Sequence, residues 1–421
     1  LLGEEMRGAE ALSVKERLER LVTAASNKKA SAGQARPPEA VSLDELLEGR
    51  LVQNGHGQCY EVVRQYPLDH WHGRMSLSRL KLVSPSAFSI LARGGDGGDL
   101  DLTRTVFLDT ETTGLSGGSG TCAFLIGCGY VEDDCFLLRQ LFMRDYAEEE
   151  AMLHELASLL ARFEGLVTYN GKSFDVPLLE SRFVLSRLPF PLTEVPHFDL
   201  LHPARSLWKA RAESCRLAQL EYLLLGFERE EDVPSELIPG LYFDYLRSRD
   251  ASHIFRVFIH NGYDILSLAA LTVRATEMLD EGASPEHPLD DYSLGRLFER
   301  AELAERSMHH YNRALGSGLS GAARRRSIQR LARQHKRQGD WEQALLLWEE
   351  LASGEGLEAI QALEEITKVR EHRQHNFAGA LESCRRALAR LEGDRELPVA
   401  LRDRWREAFH HRRRRLERRT G

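Results

Sequence analysis

The chain of 421 residues is longer than an ordinary domain, so its length predicts two or more domains. Its hydrophobic fraction of 42% and charged fraction of 29% are typical of a soluble globular protein, and no apolar stretch is long enough to predict a membrane span. The net charge of −8 is unevenly distributed, since residues 285–421 hold 27 Lys and Arg against 22 Asp and Glu, which leaves 29 against 42 for residues 1–284.

The chain begins with a segment whose composition differs from that of the rest. Residues 1–40 are rich in Ala, Ser, Lys and Glu, so we predict a flexible N-terminal segment over 1–50. Apolar residues then flank Asn54-Gly55, a dipeptide that is favoured in two-residue turns. This pattern predicts a β-hairpin around 51–63.

The next part of the chain alternates between strand and helix patterns. Short apolar runs predict four strands, the first three in a meander, at 105–108, 123–130, 135–142 and 166–169. Apolar residues at helical spacing and their neighbours predict five helices, at 148–163, 177–188, 214–225, 238–248 and 262–280. This order indicates an α/β domain over 51–280, with a mixed central sheet flanked by helices.

The last third of the chain contains an internal repeat. Residues 340–345, followed by Trp348, recur 36 residues later as 376–381, followed by Cys384. Small residues with aromatic residues one turn away are typical of stacked helical hairpins, and the unit resembles tetratricopeptide repeats. We therefore predict an all-α, tetratricopeptide-like helical-repeat domain over 285–421 with a basic tail, and a generic helical bundle is the alternative.

Cysteine usage and the first residues of the chain bear on localisation. The six cysteines are scattered without a C-x-x-C pair, which argues against a disulfide framework and against a structural zinc site. Glu4, Glu5 and Arg7 lie beside only short apolar runs, so a secretory signal is not expected. These features predict a cytoplasmic protein.

Carboxylates stand at three places where predicted elements begin or end. Asp109 and Glu111 follow a predicted strand two residues apart, so their side chains point to the same face of the sheet. Asp175 begins the helix after the next strand, and Asp264 shares a helical face with His260 four residues before it. Capping a helix or a turn is the alternative role for Asp109, Glu111 and Asp175.

Brought together, these four carboxylates would repel one another and raise their own pKa values. Two divalent cations would neutralise the four charges, and oxygen ligands suit Mg²⁺ or Mn²⁺ better than zinc. Two such ions about 3.5–4 Å apart can activate a water and stabilise the leaving oxygen of a phosphodiester. The residues therefore predict a metal-dependent phosphodiesterase.

The acidic segments resemble a known family. Residues 107–115, FLDTETTGL, resemble the first motif of the DEDD, or proofreading-type, 3′-5′ exonucleases with a ribonuclease H-like fold. Residues 170–175 and 260–264 resemble the second and third motifs. As a whole, residues 51–280 resemble a bacterial family of predicted ribonuclease H-like exonucleases, whose members often carry tetratricopeptide repeats behind the nuclease-like domain.

The resemblance implies a role for each matching residue. The implied metal ligands are Asp109, Glu111, Asp175 and Asp264. Thr110 and Thr112 would bind the terminal nucleotide, and Leu115 would pack against its base. Asn170 would steady the substrate or the metal-binding loop. Lys172, in the second motif, is placed to contact a phosphate, and an ordinary surface lysine is the alternative.

The third motif departs from the family pattern at the general base. The family has a Tyr four residues before the last Asp or a His five residues before it. Here His260 stands in the place of the tyrosine, and Ile259 stands in the place of the histidine. An imidazole is a competent base near neutral pH, so we predict His260 as the catalytic base.

Together these observations predict a metal-dependent 3′-5′ exonuclease that hydrolyses single-stranded nucleic acid with two Mg²⁺ or Mn²⁺ ions. The alternative is a non-catalytic adaptor, in which the repeats bind a protein partner and the nuclease fold binds nucleic acid or serves as a scaffold. The arginines at 412–415 either contact phosphates or form a solvated helix end. The sequence leaves open whether the substrate is DNA or RNA.

Overall fold

The computed structural model describes residues 40–92, 99–114, 120–230, 232–283, 285–393 and 396–420. Within it the chain divides after Ala283 into two compact units. Residues 1–39 and Leu115 lie outside the described residues, so the predicted contact of Leu115 with a base concerns a residue that is not described.

A seven-stranded mixed sheet forms the centre of the first unit, in the order β1-β2-β7-β6-β5-β8-β9. Its strands are β1 (Gly49–Asn54), β2 (Gly57–Pro67), β5 (Thr105–Thr112), β6 (Ala123–Glu132), β7 (Cys135–Phe142), β8 (Gly165–Thr168) and β9 (His197–Asp199), and a separate hairpin joins β3 (Trp71–His72) to β4 (Met75–Ser76). The strands from β1 to β5 in this order pair antiparallel, whereas β5, β8 and β9 pair parallel. The predicted hairpin, meander and mixed sheet are confirmed.

The first half of strand β5 is buried, and its second half, which carries Asp109 and Glu111, is partly exposed. Val106, Phe107 and Leu108 are fully buried, as expected of a central strand. Strand β8 pairs with β5 from Thr105 to Phe107, and beyond that point β5 continues beside β6. The carboxyl half of β5 therefore projects past its parallel neighbour, where side chains from following loops and helices can approach.

Eight α-helices in the described part of the first unit flank the sheet or connect its strands. They are α1 (Leu43–Leu46), α2 (Ala87–Leu91), α3 (Glu149–Leu160), α4 (Asp175–Leu185), α5 (Leu201–Trp208), α6 (Leu217–Leu220), α7 (Ile238–Ser248) and α8 (Phe255–Glu277). Short 3₁₀ turns span Leu77–Leu82, Leu102–Arg104, Tyr146–Glu148 and Ser235–Leu237. In the described ranges, no helix of the chain has the length and apolar character that crossing a bilayer requires.

The long helix α8 packs closely against strand β6 of the sheet, because two residues of that strand are glycines without side chains. A Cβ on Gly129 of β6 would lie 2.4 Å from Cγ2 of Ile265, and one on Gly127 would lie 2.2 Å from Oδ1 of Asn261. Two glycines in a strand thus let the backbone of β6 lie against the side chains of α8. This contact sets the distance between the third acidic motif and β5.

The structure differs from the predictions in three boundaries of the first unit. Helix α1 and the start of β1 precede residue 51, and Leu46 and Leu47 are buried, so the described end of the predicted flexible segment is folded. Helix α8 begins at Phe255 rather than near 262. The helix predicted at 214–225 consists of α6 and a π-helical turn, Glu221–Leu225, which ends at Gly226 with a φ of 60°.

The second unit is built from seven described helices, which are α9 (Pro288–Arg300), α10 (Ala304–Gly316), α11 (Gly321–Gln338), α12 (Trp341–Ser353), α13 (Gly356–His372), α14 (Phe377–Gly393) and α15 (Val399–Thr420). Equivalent positions of the 36-residue repeat are buried alike, as Ala344 matches Ala380 and Trp348 matches Cys384. The all-helical prediction is confirmed, and the tetratricopeptide assignment stays a prediction. The six cysteines, all within the described ranges, are free.

Candidate metal centre

Three separate segments of the first unit place carboxylates at one end of β5. Asp109 and Glu111 lie in the projecting half of β5, and Asp175 is the first residue of α4. Asp264 lies on α8, with Oδ2 3.3 Å from Nε2 of His260. Ligand atoms of Glu111, His260 and Asp264 all lie within 4.8 Å of one another.

Electrostatic interactions show that Asp109 and Asp175 belong to the same cluster. Burial, followed by the charges of Asp264 and Asp175, raises the pKa of Asp109 well above its ordinary value. Burial, followed by the charges of Asp109, Asp264 and Asp175, raises the pKa of Glu111 in the same way. Burial raises the pKa of Asp175 to about 6, although a hydrogen bond from Oγ1 of Thr110, at 2.6 Å, opposes the shift.

These carboxylates form a suitable set for divalent cations. Raised pKa values mean that the negative charges are costly in this environment, and a bound cation would remove that cost. The donors are hard oxygen atoms with one imidazole beside them, which fits Mg²⁺ or Mn²⁺ at the oxygens. The donor set and its burial therefore fit the predicted metal ions.

The raised pKa values predict how the stability of the metal-free protein depends on pH. A carboxyl group whose pKa rises on folding binds its proton more tightly in the folded state. Its contribution to the free energy of unfolding is therefore present at low pH and is lost as pH rises through the pKa of the folded state. For Asp175 this window runs from its ordinary pKa of 3.8 to about 6. In EDTA, we expect the free energy of unfolding to fall across this window by more in the wild type than in Asp175→Asn.

Urea denaturation of both proteins at several values from about pH 4 to about pH 7, with and without Mn²⁺, measures this difference. Mn²⁺ should abolish the fall, because the bound cation stabilises the charged form. A wild type that gains stability relative to Asp175→Asn as pH rises in EDTA would contradict the assigned sign.

Asn261 holds Asp109 in place from the neighbouring helix. Its Nδ2 donates a hydrogen bond to Oδ2 of Asp109 at 2.9 Å, and its Oδ1 accepts one from Nε2 of Gln140 at 2.9 Å. Gln140 also donates to the carbonyl oxygen of Phe258 at 2.8 Å, so this amide pair ties β7 to α8. Asn261 was not predicted as a site residue, although its position next to His260 was a usable signal.

Gly127→Ala is expected to displace Asn261 and weaken metal binding. The new Cβ would lie 2.2 Å from Oδ1 of Asn261, so the amide must move and release Asp109. We expect a loss of about 1–3 kcal/mol in the free energy of unfolding, with weaker Mn²⁺ affinity by calorimetry. Gly240→Ala is the matched control, because a Cβ there meets no atom within 4 Å. Unchanged Mn²⁺ affinity in Gly127→Ala would argue against this role of Asn261.

The second acidic motif is held by a carboxylate from β9. Asp199 accepts hydrogen bonds from the backbone N–H groups of Asn170 at 2.7 Å and Lys172 at 3.1 Å, and from that of Leu201 at 3.0 Å. These bonds support the loop before α4, in which Asn170 adopts a φ of 67°. The loop therefore presents Asp175 from a fixed backbone.

The residues predicted to contact substrate differ in their hydrogen bonds and in their exposure. The hydroxyl of Thr110 donates to Asp175, and that of Thr112 donates to the carbonyl oxygen of Gly114 at 2.9 Å. The side chain of Lys172 is exposed. The structure thus places Thr110 among the carboxylates and Lys172 at the surface of the second motif.

His260 lies between two groups of carboxylates. Its Nδ1 is 2.6 Å from Oδ1 of Asp232, and its Nε2 is 3.9 Å from Oε1 of Glu111. Burial by itself lowers the pKa of His260, but the hydrogen bond with Asp232 and the charge of Asp264 raise it above its ordinary value. Sequence reasoning missed Asp232, which lies in an irregular segment between α6 and α7.

A buried arginine also enters the cluster from that segment. Nε of Arg229 donates to Oε1 of Glu221 at 2.5 Å, and Nη2 donates to Oδ1 of Asp264. A weaker contact of 3.4 Å joins Nη1 to Asp232. The side chain of Arg229 is 8% exposed, and Ser267 donates a further hydrogen bond to Glu221. The only signal in the sequence was a lone basic residue within the acidic run 228–232.

A second group of potential ligands lies on the surface, at the turn between β1 and β2. Ligand atoms of His56, Glu150 and His154 lie within 4.8 Å of one another, and Nδ1 of His56 is 2.9 Å from Oε1 of Glu150. The two imidazole rings stack with their centroids 3.5 Å apart and an angle of 11° between their planes. Because the two rings are nearly parallel, their in-plane lone pairs do not converge on one point.

The chain is similar to a family model, to a curated protein and to a solved structure. A family model described as the ribonuclease H superfamily matches residues 106–276. A protein of Bacillus subtilis (strain 168), described as uncharacterized protein YprB, is 32% identical over 341 residues, which cover 78% of this chain and 81% of the relative. The family B DNA polymerase from the archaeon Pyrobaculum calidifontis matches 60% of this chain and 33% of its own length, with a TM-score of 0.34 and 13% identity.

Proposed function

We propose a nuclease function on the premise that this chain belongs to the family of the Bacillus subtilis protein YprB and contains a ribonuclease H superfamily domain at residues 106–276. The proposed reaction is the metal-dependent hydrolysis of phosphodiester bonds in single-stranded nucleic acid. One observation carries the proposal, namely that carboxylates from β5, α4 and α8 converge at the projecting half of β5, where burial raises the pKa values of Asp109, Glu111 and Asp175. Such a cluster is suited to cations and to the phosphates that cations attract.

The chain would hold two divalent cations, Mg²⁺ or Mn²⁺, through Asp109, Glu111, Asp175 and Asp264. When bound, two such ions supply an activated water and stabilise the leaving oxygen of the phosphodiester. Asn261 would keep the carboxylate of Asp109 oriented, through the hydrogen bond at 2.9 Å.

The substrate would be engaged from the edges of the carboxylate cluster. Thr112 lies at the end of β5, and the exposed Lys172 lies in the loop before α4, where its ammonium group can reach a phosphate. Asn170 is held by its backbone hydrogen bond to Asp199 and would steady the loop that carries Asp175. Removal of nucleotides from the 3′ end is the finer proposal and rests on the resemblance of the three motifs to the DEDD exonucleases. A cytoplasmic location is proposed separately, from the scattered cysteines.

A non-catalytic adaptor is the second candidate, and one contact favours it. Arg229 donates a hydrogen bond to Asp264, so that carboxylate has a resident cationic partner within the protein. A site that is satisfied in this way could be structural, with the helical unit binding a protein partner. The two candidates differ in whether a divalent cation binds and whether a phosphodiester is cut.

The deciding experiment is the degradation of single-stranded DNA and RNA, labelled at the 3′ or the 5′ end, in the presence of Mn²⁺, Mg²⁺ or EDTA. The proposal expects metal-dependent cleavage that proceeds from the 3′ end and is lost in Glu111→Gln. Glu150→Gln, which changes an exposed carboxylate of α3, should cleave like the wild type. A folded wild-type protein that cuts none of these substrates with either metal would favour the adaptor.

A further inference from the structure

We propose that His260 is a metal ligand, which binds a first-row transition ion of the Mn²⁺ class together with Glu111 and Asp264, rather than the base that accepts a proton from water. Asp232 is then the residue that orients this ligand. The inference deepens the proposed function and rests on its metal site, but its test measures metal coordination and does not depend on cleavage.

Nε2 of His260 faces carboxylate oxygens. It lies 3.3 Å from Oδ2 of Asp264 and 3.9 Å from Oε1 of Glu111, so its nearest polar neighbours on this side are carboxylate oxygens. Oxygen lone pairs facing a nitrogen lone pair repel it unless a proton or a metal cation lies between them. A base that activates water has to direct its lone pair at that water instead.

The distances are those expected of atoms that share one ion. Two ligand atoms that are each about 2.1 Å from an ion, at roughly a right angle, lie about 3 Å apart. The separation of 3.3 Å between Nε2 of His260 and Oδ2 of Asp264 is close to this value. All three donors lie within 4.8 Å of one another, so one ion between them is within reach of each.

The other ring nitrogen of His260, Nδ1, has a carboxylate partner. Nδ1 of His260 lies 2.6 Å from Oδ1 of Asp232. A ligating histidine usually donates its second N–H to a carboxylate, which fixes the tautomer and makes the ligating nitrogen a better donor. With the proton on Nδ1, the lone pair of Nε2 is directed between Glu111 and Asp264.

The other carboxylate oxygen of Asp264, Oδ1, already accepts a hydrogen bond from Arg229. Nη2 of Arg229 donates to Oδ1, which leaves Oδ2 on the side of His260. Arg229 is in turn held by Glu221, at 2.5 Å from Nε and 3.1 Å from Nη2. The guanidinium thus orients Asp264 as Asp232 orients His260, and the two donors are preorganised before an ion binds.

The donor set determines the class of ion. Mg²⁺ prefers oxygen ligands and keeps most of its water, whereas an imidazole shifts the preference towards first-row transition ions. One imidazole and two carboxylates therefore favour Mn²⁺ over Mg²⁺ at this position. Asp109 and Asp175 offer oxygen donors alone and would retain the preference for Mg²⁺ or Mn²⁺.

Pulsed electron paramagnetic resonance of the full chain with one equivalent of Mn²⁺ tests the proposal directly, since a ligating imidazole couples its ¹⁴N nucleus to the ion. We expect this coupling in the wild type and its loss in His260→Gln. Calorimetry should show Mn²⁺ affinity about 10–100-fold weaker in Asp232→Asn and at least as weak in His260→Gln, with Mg²⁺ affinity changed much less.

His310→Gln is the matched control, because His310 is also buried with Nδ1 bonded to a carboxylate, at 2.8 Å from Oδ1 of Asp291. It should retain the ¹⁴N coupling and the Mn²⁺ affinity. Mn²⁺ that binds the wild type without ¹⁴N coupling, or that does not bind at all, overturns the proposal. Metal-dependent cleavage in either case would leave the proposed nuclease function intact, and the wild-type spectrum decides even if a variant fails to fold.

Discussion

Asp109→Asn is expected to abolish metal-dependent cleavage and, at the same time, to stabilise the metal-free protein. In the wild type, burial and the charges of Asp264 and Asp175 raise the pKa of Asp109, so its ionised form is unfavourable without a cation. Asparagine removes that charge and keeps an oxygen that can accept the hydrogen bond from Asn261. The same change removes a charged ligand on which catalysis would depend.

We expect cleavage of labelled single-stranded nucleic acid to fall about a thousandfold or more, which corresponds to about 4 kcal/mol of transition-state stabilisation. The melting temperature in EDTA should rise, and its increase on adding Mn²⁺ should shrink. Asp134→Asn serves as a control, because that side chain is 98% exposed. A variant that melts lower than the wild type in EDTA would show that Asp109 stabilises the fold and would contradict the assignment.

Arg229→Met is expected to destabilise the metal-free protein by about 3–5 kcal/mol, the cost of leaving buried carboxylates without their partner. The guanidinium contacts Glu221, Asp264 and Asp232, and Glu221 is 1% exposed. Divalent cations should restore part of the loss, because a cation can replace the missing positive charge near Asp264.

Chemical denaturation in EDTA and in Mn²⁺ measures both effects. Arg182→Met is the matched control, because Arg182 forms a similarly shielded pair with Glu149, whose side chain is 16% exposed. It should lose stability without any rescue by Mn²⁺. Equal losses with and without metal in Arg229→Met would separate this arginine from the metal centre.

Local patterns were sufficient for most elements of the first unit. Apolar runs placed β5, β6 and β7 within a few residues of their observed bounds, because a buried strand needs a continuous apolar stretch wherever it sits. The 36-residue repeat similarly identified an all-helical second unit. The boundaries that failed, at α1 and at the start of α8, depend on packing against the sheet rather than on local composition.

Some residues of the candidate site were likewise identified from the sequence, and others were not. The four carboxylates were found because each lies within a short motif that can be recognised from residue type and spacing. Arg229, which contacts Asp264, and Asp232, which contacts His260, were not found, and neither was Glu221, which accepts hydrogen bonds from Arg229. Arg229 and Asp232 lie in the irregular segment before α7, where no periodicity marks which side chains turn inward.

The sequence by itself determined the fold class, the helical second unit and the carboxylates proposed to bind metal, because these depend on residue type and spacing along the chain. Only the tertiary structure decided how those carboxylates are oriented and what surrounds His260. Asp232 is 28 residues from His260, and Arg229 is 35 residues from Asp264. Contacts at such separations depend on the path of the backbone through space, and the direction of a lone pair follows from them.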